Sequence, residues 1–282
     1  YKGSLKNIKA HQLGSIVISD ILKKNNFDYN EIDEVIMGQV LTAGVGQNPA
    51  RQAAVNAGIP ISKPAYIINQ VCGSGLRAVI SAFQSIKLGE AKNIISGGQE
   101  NMSLAPHSIF YRDKKEISKN KLVDTMIYDG LTDAFNNYHM GVTAENIAQK
   151  FDISRDEQDD FALISQKKTK IAISNNKFDD EIVPIFQDGN VFKKDEHPRS
   201  DLKSSDLEKL KTIFKVNGTV TPGNSSGIND GAAALLLTTL EEAKKKSINP
   251  LGKIVSWASV GVEPSLMGLG PIEAVNLAVK KA

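Results

Sequence analysis

One cysteine, Cys72, stands in 282 residues, and that scarcity excludes several chemistries at once. An intramolecular disulfide needs two cysteines, so none can form, and the usage fits a reducing compartment. A cysteine-based zinc site is also beyond a single chain. The four histidines, His11, His107, His139 and His197, never fall at zinc-ligand spacing. Charge of one sign is missing too. Lys and Arg number 34 against 32 Asp and Glu, a formal net charge of +2 with both signs mixed along the chain, which leaves no footprint for nucleic acid. No apolar run approaches the roughly 20 residues of a membrane span. Short-period repeats and low-complexity tracts are absent, which argues against solenoids and arrays. On these grounds the expectation is a protein of a reducing compartment, with neither nucleic-acid nor membrane partners.

What is present is ordinary for a globular chain, 41% hydrophobic and 23% charged, and long enough for one large domain or two smaller ones. From Ala10 to Lys24 the apolar residues Leu13, Ile16, Val17 and Ile21 form the stripe of a helix resting on a sheet. "DEVIMGQVL" (33–41) predicts a buried strand, "NPARQAAVNAG" a helix stopped by Gly58 and Pro60, and "AYIINQ" a second strand. Leu76, Val79, Phe83 and Ile86 then keep helical spacing until Gly89, and "KNIISGGQE" (92–100) is a further strand. Strands alternating with helices predict a parallel sheet covered on both faces.

Residues 101–225 break this rhythm with charged loops and an expected hairpin at "EIVPIFQDGNVF". Two capping boxes are expected there, Ser154 with Glu157 and Ser205 with Glu208. The parallel pattern is expected to resume with "GAAALLLTT", a helix "LEEAKKKS" and a strand "GKIVSWASV". The result is an α/β core at 1–100 and 226–249, interrupted by an insertion at 101–225. Long insertions at the ends of parallel strands usually build substrate sites.

Cys72 sits where an apolar strand meets a Gly-Ser-Gly turn and a helix begins. A lone cysteine after such a strand is often a small buried hydrophobe. Against that, the C-terminal end of a parallel strand is where α/β sheets place ligands, and a helix start favours thiolate over thiol. Gly73 and Gly75 carry no side chains, so a substrate carbonyl could approach the sulfur and the backbone N–H groups closely. The layout resembles a nucleophile elbow without its G-x-S-x-G spelling. Both readings of Cys72 stay open on these grounds alone.

The wording around Cys72 goes further. "NQVCGSGLRAV" resembles the nucleophile segment of the thiolases, which join or cleave short 3-oxoacyl-CoA thioesters. The likeness continues in order through "GQVLTAGVGQNPARQAAVNAGIP", "GGQENMS", "DGLTDAFNNYHMGVTAENIA", "GTVTPGNSSGINDGAAALLL" and "GKIVSWASVGVEPSLMGLGPIEA". "YHMG" is similar to the biosynthetic, acetoacetyl-CoA branch rather than the long-chain degradative one. The resemblance implies a layered α-β-α core, doubly wound around a mostly parallel sheet, with an inserted loop domain and a second, similar half. It implies that Cys72 takes the acyl group and that its N–H is one oxyanion donor. It implies further that Leu131, His139 and Met140 line the tunnel for pantetheine and acyl group. Ser226 should bind the pantetheine arm, Arg199 should lie against the adenine, and Phe214 should pack nearby. Each has a duller alternative: a structural histidine at 139, a solvated charge at 199, a helix core residue at 214, a turn former at 226. Coenzyme A is implied as carrier of substrate and product, with no resident cofactor, and a homo-oligomer, dimer or tetramer, is implied as the assembly. The tetramer-forming loop corresponds to "FYRDKKEISKNKLVDTMIYDG".

Other polar groups are expected to be structural: Glu100 as a hydrogen-bonding residue, Lys244–Lys246 as an exposed helix end, and His11, His107 and His197 without catalytic context. The family's general-base histidine in "GHP", its second cysteine in "C-x-G-G-G" and its asparagine in "NEAF" are not among the 282 residues. Residues 250–282 match only the start of the second half, and Tyr1 follows the place of the family's first strand. A piece of a complete enzyme is therefore expected. Were Ala282 the true end, a non-catalytic acyl-CoA-binding or assembly protein would be the natural reading. A broader-specificity 3-ketoacyl-CoA thiolase is the alternative among enzymes.

Overall fold

The computed structural model describes residues 1–109, 111–112, 122–187 and 189–282. The chain divides into two compact units, Tyr1–Gly130 with Asn229–Val255, and Leu131–Ile228 with Ser256–Ala282. The division drawn from motif order falls at 100, 225 and 249, whereas packing divides the chain at 130, 228 and 255.

The first unit carries helices α1 (Ala10–Lys24), α2 (Pro49–Asn56) and α3 (Ser74–Leu88) and strands β1 (Glu34–Gly38), β2 (Ala65–Ile68) and β3 (Asn93–Asn101). Two short paired strands, β4 (His107–Ser108) and β5 (Val123–Asp124), precede a π-helical turn, Met126–Leu131, that reaches the unit boundary. The sheet runs in the order β2-β1-β3-β8, where β8 is Asp230–Thr238. β1 pairs in parallel with β2 and β3, as the alternating pattern predicts. Successive side chains face opposite layers. Val35, Met37 and Ile95 pack with Ile18, Leu22, Ala50, Ala53 and Ala54 of α1 and α2. Ile36 and Ile94 pack on the other face with Ala78 and Ala82 of α3. The layers are therefore α-β-α. The α1 stripe is rotated from its expected place: Leu13, Ile18 and Leu22 are buried, while Ile16, Val17 and Ile21 are only half-buried. Contact with α2 as well as the sheet widens the apolar face a helix must present.

Two expectations fail at the return of the chain. β8 is antiparallel to β3, not parallel: Asn101, the last residue of β3, lies opposite Asp230, the first of β8. The chain leaves and re-enters at the same end of the sheet, so the returning strand runs backwards. "GKIVSWASV" (252–260) forms no strand. Strand geometry persists where a neighbour takes the backbone hydrogen bonds, and no described strand runs beside it. The helix expected from "LEEAKKKS" is α7 (Leu240–Lys245), capped by Thr239. Lys246 is not simply exposed: it pairs with Glu31 and lies 4.6 Å from the centre of the Phe27 ring.

The second unit holds helices α4 (Met140–Lys150), α5 (Arg155–Ser174), α6 (Ser204–Glu208) and α8 (Gly270–Lys281), with the hairpin β6 (Ile185–Gln187) and β7 (Asn190–Phe192). Asp188 of the hairpin turn lies outside the described residues, as do residues 110 and 113–121 of the segment expected to form tetramers. The Ser154–Glu157 box is present: the Ser154 hydroxyl accepts from Glu157 N at 3.2 Å, and the Glu157 carboxylate accepts from Ser154 N at 2.8 Å. The Ser205–Glu208 box is not. α6 starts two residues earlier, with Lys203 at the cap and its N–H donated to Asp206 at 3.1 Å. Among the described residues no helix is long and apolar enough to cross a membrane.

One contact brings the start of α3 onto the sheet. A Cβ on Gly38, the last residue of β1, would lie 2.5 Å from the backbone N of Gly75 and equally deep in Ser74. Substituting Gly38→Val should cost about 3 kcal/mol or more, because backbone rather than a movable side chain blocks the methyls. Gly252→Ala, at a position with nothing within 4 Å of the added carbon, should change stability by less than about 0.5 kcal/mol. Urea unfolding of the two variants checks the contrast.

Candidate active site

Five residues carry the chain from β2 into α3, and Cys72 is the fourth. Val71 just before it takes φ 47°. A β-branched residue in this left-handed region costs roughly 1–3 kcal/mol and persists only where neighbours over-determine it. Here they do. Val71 N donates to the Asn69 side chain at 3.0 Å, and Val71 O accepts from Ser74 N at 3.0 Å and from the Ser74 hydroxyl at 2.5 Å. Gln70 N donates to the same hydroxyl at 2.8 Å, and Gln70 O accepts from Gly73 N at 3.0 Å. Ser74 is the buried residue of the turn, while Cys72 is exposed. The filler reading of Cys72 thus fails, since a small hydrophobe that packs would not be presented to solvent. The strand–turn–helix layout of a nucleophile elbow is realised, with the strain on the residue before the sulfur-bearing one.

Glu100, in the same unit, accepts from Val40 N at 2.8 Å and Leu41 N at 3.3 Å. Burial raises its pKa, and these two hydrogen bonds oppose the rise. Its carboxylate holds the loop after β1.

The remaining candidates lie in the second unit. Leu131, half-buried, closes the π-helical turn, and the next residue, Thr132, bridges to His139. Buried Asp133 shapes the loop between them, accepting from Phe135 N at 2.8 Å and from the Asn136 side chain at 2.7 Å, while its own N–H reaches Tyr138 O at 2.8 Å. His139 is the N-cap of α4: its Nδ1 accepts from Gly141 N at 3.0 Å. That bond places the ring proton on Nε2, so neutral His139 presents an N–H donor. Burial pushes its pKa down. The His139 and Phe214 rings stack 4.7 Å apart at 19°, and a side chain at Gly141 would collide with the Phe214 ring. Phe214 lies in a bend outside any helix, so its alternative as a helix core residue is set aside. Met140 opens α4 beside His139.

Ser226 and Arg199 are exposed. Among the described residues no hydrogen bond or ring contact ties Arg199 to His139 or Phe214; its N–H binds the Gln166 side chain at 2.8 Å. His197, two residues earlier, does have a context. Its Nδ1 would lie 2.9 Å from a Cβ on Gly227, so the "HPR" segment rests against the loop that carries Ser226. The sequence reading passed over two further buried carboxylates, Glu145 and Asp159. Their helical spacing looks like that of any solvated face, and only an acidic residue amid an apolar stripe would have hinted at burial. Among the described residues no group of His, Cys, Asp and Glu could hold a metal ion.

An exposed cysteine stands on a strained strand-to-helix turn, with an apolar α-β-α sandwich behind it. The family model for the thiolase N-terminal domain matches residues 1–241, and the chain belongs to that family. Its relatives include acetyl-CoA acetyltransferases of Rhizobium meliloti, 50% identical over all of this chain and 73% of that protein, and of Paracoccus denitrificans, 48% identical over the same shares. A cytosolic acetyl-CoA acetyltransferase of Rattus norvegicus is 47% identical over 72% of its length. The crystal structure of the Bacillus anthracis acetyl-CoA acetyltransferase superposes with a TM-score of 0.95 at 37% identity, over all of this chain and 72% of that one. The fold is that of the thiolases.

Replacing Val71 with Asn, which tolerates the left-handed region, should stabilise the protein by about 1 kcal/mol, because the Val71 side chain is half exposed and packs little. Chemical unfolding measures it. A second outcome concerns pH. His139 and His11 both titrate below the ordinary 6.5, each chiefly because of burial. Between 6.5 and those lowered values the unfolded chain binds protons that the folded chain does not, so stability should fall as pH drops through that window. His139→Asn, which keeps a capping side chain, should flatten the slope by less than one proton, as read from unfolding midpoints between pH 7 and 5.

Proposed function

We propose that this chain works as an acetyl-CoA acetyltransferase of the biosynthetic thiolase type, joining two acetyl-CoA into acetoacetyl-CoA and running the reverse thiolysis. The observation that carries the reading is the exposure of Cys72 on the turn before α3 in a chain about half identical to enzymes of that name. The Cys72 sulfur attacks the thioester carbonyl, and the carbon–sulfur bond to coenzyme A breaks. Coenzyme A leaves as the thiolate, which takes up a proton, and acetyl-Cys72 remains. The α-carbon of a second acetyl-CoA then gives up a proton and attacks the acetyl carbonyl, and the sulfur of Cys72 departs. The first step exchanges one thioester for another and is nearly balanced in energy, whereas carbon–carbon bond formation runs uphill and thiolysis downhill; in both steps the enzyme must activate the sulfur and stabilise the oxyanion. The Cys72 N–H is one donor to that oxyanion. The reaction is redox-neutral, and its chemistry calls for coenzyme A as carrier, without a metal or redox cofactor.

In this reading Leu131, His139 and Met140 line the pantetheine and acyl path, with the Nε2–H of His139 as a donor. Ser226 binds the pantetheine arm, Arg199 lies along the adenine, and Phe214 backs His139. The stacking of Phe214 on His139 and the cap on α4 support it, because both hold the imidazole in one orientation. We also place the protein in the cytoplasm as a homo-oligomer. Cytosolic relatives support the first. β2, an edge strand of the sheet among the described residues, with Tyr66 exposed on it, supports the second.

Brief exposure of the purified protein to acetyl-CoA should add one acetyl group, seen by intact-mass measurement and placed on Cys72 by peptide mapping. Cys72→Ala should abolish it. A protein that binds acetyl-CoA yet never acetylates would sink the enzymatic reading and leave an acyl-CoA-binding one.

A further inference from the structure

Two buried carboxylates of the second unit do no chemistry in the mechanism above, yet both converge on the segment that leads to Ser226. Asp159, on the first turns of α5 and 8% exposed, divides its two oxygens. Oδ2 accepts from Arg155 Nε at 2.7 Å, and Oδ1 accepts from the Asn224 side chain at 2.9 Å. The Asn224 amide then clasps a turn: Nδ2 also donates to Thr219 O at 3.1 Å, and Oδ1 accepts from Thr221 N at 2.8 Å. Glu145 of α4, 3% exposed, takes the N–H groups of Thr219 and Val220 at 2.9 and 2.8 Å. The next hydroxyl, that of Ser225, donates to Thr221 O at 2.7 Å. Ser226 follows, exposed.

Arg155 extends the network to the other predicted coenzyme A segment. Its Nη2 donates to Leu207 O at 2.6 Å and Leu210 O at 3.1 Å, a few residues before Phe214, and Ile213 N reaches Val220 O at 3.3 Å. Burying an ion pair is a weak way to gain stability, since desolvation offsets most of the attraction. What such a pair does well is hold groups in one geometry when every lone pair and proton is used. Each oxygen of Asp159 has a donor here, and the amide of Asn224 is used at both ends.

We propose that Asp159, acting through Asn224 and with Arg155, is a positioning residue for coenzyme A: it fixes the 219–224 turn so that Ser226 meets the pantetheine arm. The assignment rests on the reading of Ser226 given above. Ser226 is two residues beyond Asn224, and the short chain between them is tied down at Ser225, so the direction of its hydroxyl follows the clasp.

The test is a double-mutant cycle on the affinity for coenzyme A, measured by titration calorimetry well below the unfolding temperature, with thermal unfolding recorded for every variant. Asp159→Asn should weaken binding by about tenfold. Ser226→Ala should weaken it comparably, and the two together should be no worse than the weaker single variant, because one acts through the other. Exchanging the partners, D159N with N224D, restores the contact between 159 and 224 but loses the Asn224 donor to Thr219 O, so it should recover only part of the affinity. Asn224→Ala removes the clasp and leaves the Arg155–Asp159 pair intact, so it tests the same route should D159N fail to fold. The proposal is overturned if D159N and N224A lower the unfolding temperature but leave affinity unchanged, or if D159N and S226A weaken binding multiplicatively. An unchanged affinity in S226A alone would instead remove the pantetheine role of Ser226, and the positioning role with it.

Discussion

The way Cys72 is presented to solvent depends on how closely α3 can lie against β1. Gly38 ends β1 at the point where the first turn of α3 crosses it, and no side chain would fit between the two backbones. That approach puts Ser74 in the interior, and buried Ser74 then has to spend its hydroxyl on the polar groups of the turn. With Gln70 and Val71 held, Val71 is driven to a positive φ and Cys72 is turned outward. A strained residue next to Cys72 is thus a consequence of packing one layer below it. The apolar clusters on both sheet faces resist the strain, since each fully buried Ile or Leu contributes roughly 1.5–3 kcal/mol.

The second unit solves a different problem by different means. Of its candidate ligand-facing residues, Arg199, Phe214 and Ser226 sit on loops, which have no hydrophobic sandwich to hold them. Buried polar groups take over that role. Asp133 shapes the loop before His139, Glu145 and Asp159 grip the segment before Ser226, and the His139 ring is pinned between its own helix cap and Phe214. A loop cannot bury enough apolar surface to define one conformation, but directional hydrogen bonds can, provided none is left unpaired.

The sequence was informative where local rules coincide with tertiary ones. The bounds of α1, the Ser154–Glu157 cap, the left-handed Gly89 that ends α3 and the parallel pairing of β1, β2 and β3 all follow from spacing and turn chemistry. It misled where the answer lay in a distant partner. Nothing local in "GAAALLLTT" distinguishes a parallel from an antiparallel strand, and the direction of β8 was set by where the chain re-enters the sheet. "GKIVSWASV" has strand composition, but composition does not supply a neighbour. Motif wording singled out Cys72, His139 and Ser226 as candidates, whereas Glu145 and Asp159 looked like surface charges because helical periodicity does not say which charged face will be covered.

By itself, then, the sequence determined the family, the alternation of helix and strand, and the position of the sulfur, because these are written in residue type and spacing. Only the tertiary structure decided that Cys72 is exposed while Ser74 is buried, which nitrogen of His139 carries the proton, and which carboxylates hold the loop before Ser226. Those outcomes depend on which groups meet across long stretches of chain and on how much water the meeting removes. Neither quantity is a property of any local segment.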